Sequence, residues 1–157
     1  MILGAMAYDT REARQLLLDT VAEATVELGK AIAALGAAYD GLDEHTADRL
    51  EEELFRPAQA AYGRAQRTHA GFAARFGLPA TTFAPASAGL PSQGVRGFLD
   101  GAVEAVAEAD LILAELQDSM MPVEVGDAEL RAGLAQVREL VEPLPARAGE
   151  LARLLGR

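Results

Sequence analysis

The chain contains no cysteine and is short of basic residues. Without cysteine it cannot form a disulfide, a thiolate metal site or a cysteine nucleophile. Lysine and arginine together number 14, against 24 aspartates and glutamates, which leaves a net charge of -10 at pH 7. An excess of negative charge repels phosphate groups. We therefore expect neither a nucleic acid nor a membrane among its partners.

Isoleucine and valine are also scarce, with 3 and 9 residues, whereas alanine supplies 33 and leucine 22 of the 157 residues. Alanine and leucine are strong helix formers. A chain of this length can bury a core without disulfides, and a single domain is the usual outcome. The composition therefore predicts one all-α domain spanning residues 1–157.

Two uncharged segments differ from the rest of the chain. Residues 1–8 are mostly apolar but lack the basic start and the length of a signal peptide, so we expect them to be disordered or derived from an expression vector. Residues 77–95 contain three prolines, which excludes a membrane-spanning helix. We expect residues 77–91 to form a long loop between helices, and we expect the protein to be cytoplasmic.

Four segments carry apolar residues at alternating spacings of three and four, which is the pattern of an amphipathic helix. The first follows Asp9, the second begins near Asp43 and ends at Gly77, the third follows the long loop, and the fourth begins at Asp127. The predicted inward residues are Leu17, Val21, Ala24, Leu28, Ala31 and Leu35; Leu50, Leu54, Ala58, Ala61, Ala65, His69 (or Thr68), Phe72 and Phe76; Val95, Leu99, Ala102, Val106, Ala109, Leu113, Leu116 and Met120; and Leu130, Leu134, Val137, Val141, Leu144, Ala148, Leu151 and Leu155.

These four stripes can be buried only against one another, which predicts an antiparallel four-helix bundle with long helices and a long middle connection. Prolines interrupt two of the helices. We expect Pro57 to kink the second helix, and Pro143 and Pro145 to bend the fourth without ending it. The long connection can either cross the end of the bundle or lie along one face.

An acidic cluster lies where the second helix begins. Its members are Asp40, Asp43, Glu44, His45 and Asp48, which could hold a hydrated divalent ion. Acidic residues are also favoured at a helix start because they cap it and complement its dipole, and we prefer this explanation. Neither histidine of the chain follows a glutamate by three residues, so the ligand set of a ferritin-like di-metal centre is missing. We predict no cofactor.

His69 is the residue most suited to a ligand or switch role. It falls in a line of aromatic residues that recur every seven positions, Phe55, Tyr62, His69 and Phe76. The residues after it lack the lysine and glycine that follow the phosphorylated histidine of phosphotransfer bundles. The structural alternative is a partly buried histidine that uses one nitrogen as a hydrogen-bond donor.

Three groups of residues suggest an interface. Glycines lie opposite the core stripe of the third helix, where each costs about 1 kcal/mol relative to alanine. The first helix has more apolar residues than one stripe needs, and two methionines occupy the turn before the fourth helix. The candidate interface residues are Gly94, Gly97 and Gly101; Leu16, Leu18, Val26 and Ile32; and Met120 and Met121.

No pattern of nucleophile and base, or of phosphate-binding glycines, is present in the sequence. We therefore expect a non-catalytic helical bundle that acts by self-association, as a homodimer, or by binding a helical protein partner. The alternative is a bundle that binds a small molecule or a metal through His69 or the Asp40–Asp48 cluster.

Overall fold

A computed structural model describes the backbone of residues 2–155 and the side chains of residues 9–155. Within these residues the chain is all-helical and contains no strand, as predicted. The helices are α1 (Ile2–Asp40), α2 (Glu44–Leu50), α3 (Arg56–Phe76), α4 (Gly94–Asp118), α5 (Met121–Glu124), α6 (Ala128–Val141) and α7 (Leu144–Leu155), with a π-helical turn at Glu51–Phe55 and a 3₁₀ turn at Pro91–Gln93.

The start of the chain differs from the prediction in one respect. The helical backbone of α1 already includes Ile2, whereas the sequence predicts a helix only after Asp9. Residues 1–8 were predicted to be disordered or derived from an expression vector. Their side chains lie outside the described part of the chain. None of the described helices has an apolar stretch long enough to cross a membrane.

One core runs between the helices. Helix α1 packs against α3 and α4, while α6 packs against α3 and α7 against α4. Almost every predicted inward residue is buried, and both Thr68 and His69 are buried. Phe76, Val95 and Leu155 are half-buried. Met120 is exposed and has a left-handed φ of 67°, because α4 ends at Asp118 before the stripe reaches it.

Pro57 is accommodated by a change of helix type. The π-helical turn lies directly before it, and the Arg56 amide donates to the Glu51 carbonyl five residues earlier. Proline has no N–H, so the Glu53 carbonyl loses its normal helical partner four residues later. Arg147 of α7 donates to this carbonyl over 3.0 Å. The proline therefore leaves an acceptor that another helix uses.

The fourth predicted helix is divided in two, although its apolar stripe continues. Helix α6 ends at Val141 and α7 begins at Leu144, on either side of Pro143. Val141, Leu144, Ala148 and Leu151 are all buried. The sequence predicted one bent helix, whereas the structure has two helices. The prolines have no N–H groups and so remove hydrogen bonds that would join the two halves.

Asp127 joins the end of α3 to the start of α6. Its carboxylate accepts two hydrogen bonds from Arg75, and it caps α6 by accepting from the Leu130 amide over 2.9 Å. The hydrogen bonds from Arg75 lower the pKa of Asp127 below its ordinary value, and the Leu130 amide acts in the same direction. One side chain therefore stabilises a helix start and a contact between helices.

Loop 77–90, the helix-free segment between α3 and α4, lies along the face formed by α1 and α3. Arg11 of α1 donates to the Gly77 carbonyl at the start of the loop, where Leu78 is buried. Farther along, Phe83 contacts His69 of α3. Residues 88 and 89 then approach the end of α1. Of the two paths that the sequence allowed, the chain takes the one along a face.

Gly133 of α6 lies against Thr68 of α3, and it supplies a test of this packing. A Cβ atom at Gly133 would overlap the Thr68 side chain, whereas one at Gly149 of α7 would meet nothing within 4 Å. We expect Gly133→Ala to lower the free energy of unfolding by about 1–2 kcal/mol. The matched change Gly149→Ala should raise it by about 0.5–1 kcal/mol, since alanine favours the helix. Urea denaturation measures both, and equal effects of the two changes would contradict the packing.

Candidate functional site

A cleft of about 490 Å³ lies between loop 77–90 and the helices beneath it. Helix α1 supplies Val26, Gly29 and Lys30 to its wall, and α3 supplies Tyr62. The loop supplies the rest of the lining, which is Thr81, Thr82, Phe83, Ala84, Ala86 and Ser87. The cleft therefore exists because the loop takes the path along the α1 and α3 face.

The tyrosine wall of the cleft depends on a glycine in α1. A Cβ atom at Gly29 would lie 3.3 Å from Tyr62 Cε1 and 3.6 Å from its hydroxyl oxygen. A contact of 3.3 Å is closer than ordinary van der Waals packing, so a larger residue would push the ring outward. Gly29 thus lets Tyr62 lie directly on the backbone of α1.

His69 is not among the residues that line the cleft, and it is almost completely buried, with 1% of its surface exposed. Its ring meets that of Phe83 edge to face, with centroids 5.2 Å apart and an angle of 77° between the planes. The Nε2 atom is buried and has no hydrogen-bond partner within the described residues. His69 is therefore buried more completely than the partly buried histidine that the sequence suggests, and the hydrogen bond expected of one ring nitrogen is not made by Nε2.

Burial lowers the pKa of His69 below its ordinary value of 6.5, because a charged imidazole would lose its hydration. The carboxylate of Asp19 raises the pKa, but its effect is the smaller one. The imidazole is therefore neutral at pH 7, and one of its nitrogens can accept a hydrogen bond.

Two arginines of α1 hold the beginning of the loop. The Arg14 guanidinium lies 4.1 Å from the centre of the Phe76 ring and donates to the Val125 carbonyl over 3.0 Å. Phe76 in turn packs against Phe72, with ring centroids 4.7 Å apart. With the Arg11 bond to Gly77, these contacts place the end of α3 and the loop entrance against α1.

The acidic cluster has a structural role in α2. The Asp43 carboxylate accepts from the amide and from the hydroxyl of Thr46, at 2.9 and 3.0 Å, and so caps the helix. The hydrogen bond from the Thr46 amide is the main cause of the lowered pKa of Asp43. Glu44, His45 and Asp48 are exposed. Across the described side chains, no group of three or more histidines and acids could hold a metal ion.

The candidate interface residues of α1 do not form one surface. Leu18 is fully buried in the core, which corrects its assignment to an interface, and Ile32 packs against the core. Val26 is 46% exposed and lines the cleft, while Leu16 is exposed elsewhere. The apolar face of α1 is wide because α3, α4 and the loop all pack around this helix.

The remaining interface candidates have separate explanations. Gly94 has a φ of 69°, which glycine adopts at little cost, and Met121 packs against the core. Gly97 approaches only the Gln93 side chain, and a Cβ at Gly101 would meet nothing within 4 Å. Nothing in the described structure explains Gly101.

The sequence suggested His69 as a ligand or switch residue and Val26 as an interface residue, and it gave no sign that Val26, Gly29, Lys30, Tyr62 and Phe83 line one cleft. These residues are distant in sequence and meet only because the loop follows α1 and α3. One signal was available: Lys30 is the only lysine of the chain, among 13 arginines. A comparison of the chain with protein-family models, curated proteins and solved structures finds no match in any of the three.

The buried imidazole predicts how stability depends on pH. Below pH 6.5 the unfolded chain protonates His69, whereas the folded chain with its lowered pKa does not. The unfolded state then binds more protons, so the free energy of unfolding falls as the pH drops from 6.5 towards the folded-state pKa. His69→Phe should remove this contribution, so the variant should lose less stability than the wild type when the pH is lowered.

Chemical denaturation of both proteins at about pH 7.5 and about pH 5.5 measures this difference. An NMR titration of the His69 ring protons in the folded protein gives the pKa independently. An identical loss of stability in the two proteins, together with a ring pKa at or above the ordinary value, would contradict the burial of a neutral imidazole.

Proposed function

We propose that the protein is a non-catalytic binding protein and that its ligand occupies the cleft under loop 77–90. The carrying observation is a cleft of about 490 Å³ whose wall includes Phe83, the residue that contacts the buried ring of His69. Ligand sites commonly have volumes of about 300–1,000 Å³, mostly apolar walls and a few polar groups. This cleft fits that description.

The architecture that we propose for this binding protein is an antiparallel four-helix bundle. The start of α1 meets the end of α3 through Arg11 and Gly77. The end of α1 meets the start of α4 where Gly41 approaches Val95, and Arg96 of α4 donates to the Ala152 carbonyl near the end of α7. These contacts support an arrangement in which neighbouring helices run in opposite directions.

The surroundings of His69 favour binding over catalysis. A general base needs a nearby proton donor or a polar group that orients its ring. His69 meets the ring of Phe83, and Lys30 is the only charged group among the described residues that line the cleft. The Lys30 ammonium is already paired with Glu27 at 3.0 Å. These groups can hold a ligand but form no nucleophile and base pair.

A fragment screen tests the proposed function. We expect some fragments to shift the backbone NMR resonances of Val26, Lys30 and Thr82 and to raise the thermal midpoint, since a ligand that binds only the folded state stabilises it. Ala86→Phe should abolish these effects by filling the cleft. Ala80→Phe is the matched control, because Ala80 is an exposed residue of the same loop that does not line the cleft.

The proposed function is contradicted if the fragments that bind shift resonances elsewhere, or if the two phenylalanine variants lose binding equally. It is also contradicted if no fragment binds at millimolar concentration. Circular dichroism of each variant would show that the helices are intact.

A second candidate function is association with another copy of the chain, or with a helical protein, at the groove between α4 and α7. The groove has a volume of about 370 Å³, and its lining combines small and apolar residues with two acids: Leu99, Val103, Pro145, Ala148, Gly149 and Ala152, together with Asp100 and Glu104. A Cβ atom at Gly149 would meet nothing within 4 Å. Exposed glycines in helices are costly, and they allow another backbone to approach closely.

Light scattering at micromolar concentrations tests the self-association. We expect a dimer, and we expect Gly149→Gln to reduce the dimer fraction because the longer side chain would obstruct the groove. Ala132→Gln is the control, since Ala132 is exposed on α6 outside the groove. A wild-type protein that stays monomeric throughout this range would rule out the homodimer.

A further inference from the structure

We propose that the ligand of the cleft is a small amphipathic carboxylate, in which Lys30 and nearby hydroxyl groups bind the carboxylate and the apolar wall binds the body. This inference rests on the proposed function, because it names the class of ligand for the same cleft. It depends on three features of the lining: its charge, its hydrogen-bond donors and its apolar surface.

The charge of the lining is opposite to that of the chain. The chain has a net charge of -10, yet the described residues that line the cleft include Lys30 and no aspartate or glutamate. Lys30 is the only lysine in the sequence. A cleft with one cation and no acid in its wall favours an anion over a cation by direct electrostatic attraction.

The Lys30 ammonium can exchange its present partner for a ligand. It contacts Glu27 Oε1 at 3.0 Å, within one turn of α1, and the two side chains are 53% and 21% exposed. An exposed pair of this kind contributes at most about 1 kcal/mol. Because the present pair is this weak, a ligand carboxylate can compete with Glu27 for the ammonium.

Hydroxyl groups line the same cleft as Lys30. They belong to Tyr62, Thr81, Thr82 and Ser87. The Ser87 oxygen accepts a hydrogen bond from the Gly89 amide over 3.2 Å, which leaves the hydroxyl hydrogen to donate. Hydroxyl donors and an ammonium form charge-assisted hydrogen bonds with a carboxylate.

The rest of the wall is apolar and leaves room for a small body. Val26, Phe83, Ala84 and Ala86 line it, and Val26 is 46% exposed without a ligand. A volume of about 490 Å³ lies within the range of sites that hold small molecules. Covering Val26 and Phe83 with such a body removes apolar surface from water and stabilises the complex.

Three probes of equal length separate the parts of this inference: hexanoate, hexanol and hexylammonium. NMR titration of the full chain measures the dissociation constant of each. We expect hexanoate to bind about three- to tenfold more tightly than hexanol, because only the acid forms charge-assisted hydrogen bonds. Hexylammonium should bind most weakly of the three because it repels Lys30.

Two variants test the role of the lysine. Lys30→Met should reduce the affinity for hexanoate to that for hexanol. Arg49→Met is the matched control, since Arg49 also pairs with a glutamate on its own helix, Glu53 at 3.3 Å, but lies outside the cleft. It should leave all three affinities unchanged. Hexanoate should also slow amine-selective acylation of Lys30, which is a readout that needs no substitution.

The outcomes distinguish the ligand class from the proposed function. If hexanol or hexylammonium binds as tightly as hexanoate, or if Lys30→Met has no effect on affinity, the ligand is not a carboxylate. The proposal that the cleft binds a ligand would still stand. If none of the probes binds at millimolar concentration but the fragment screen finds another ligand in the cleft, only the inferred ligand class is overturned. If both experiments fail, the proposed function is overturned as well.

Discussion

The edge-to-face contact between His69 and Phe83 is the interaction on which the candidate site depends. It holds the middle of loop 77–90 against α3, while Arg11 and Leu78 hold its beginning. The cleft is the space left between this loop and α1, and Lys30 and Tyr62 face the loop across it. Without the contact, Phe83, which forms part of the outer wall of the cleft, would lose its ring contact with α3.

This arrangement includes an energetic cost. A buried nitrogen without a hydrogen-bond partner costs about 1–3 kcal/mol, and His69 Nε2 is such an atom within the described part of the chain. An apolar residue at this position would avoid that cost. Polar groups that are buried at a cost often occur at functional sites. The cost therefore agrees with a role for this region in binding, which is how we interpret it.

The helices could be predicted from the sequence because their signal is local and periodic. Leu17 to Leu35 and Leu130 to Leu151 follow the spacing of one helix face, and burial of that face requires no knowledge of distant residues. The π-helical turn before Pro57 and the hydrogen bond from Arg147 of α7 to the Glu53 carbonyl could not be predicted, because the first has no periodic signal and the second joins residues far apart in sequence. The cleft could not be predicted either, because its lining residues are far apart in sequence. Phe83 and Tyr62 meet through the path of a loop whose own residues show no periodicity.

The most direct test of this account is whether the ring of Phe83 lies against that of His69 in solution. Nuclear Overhauser effects between their ring protons measure the contact without any substitution or ligand. The account predicts clear effects between the two rings, together with effects between residues 81–87 and Val26 of α1. Their absence, with random-coil chemical shifts throughout loop 77–90, would contradict the cleft and the binding function that we propose for it.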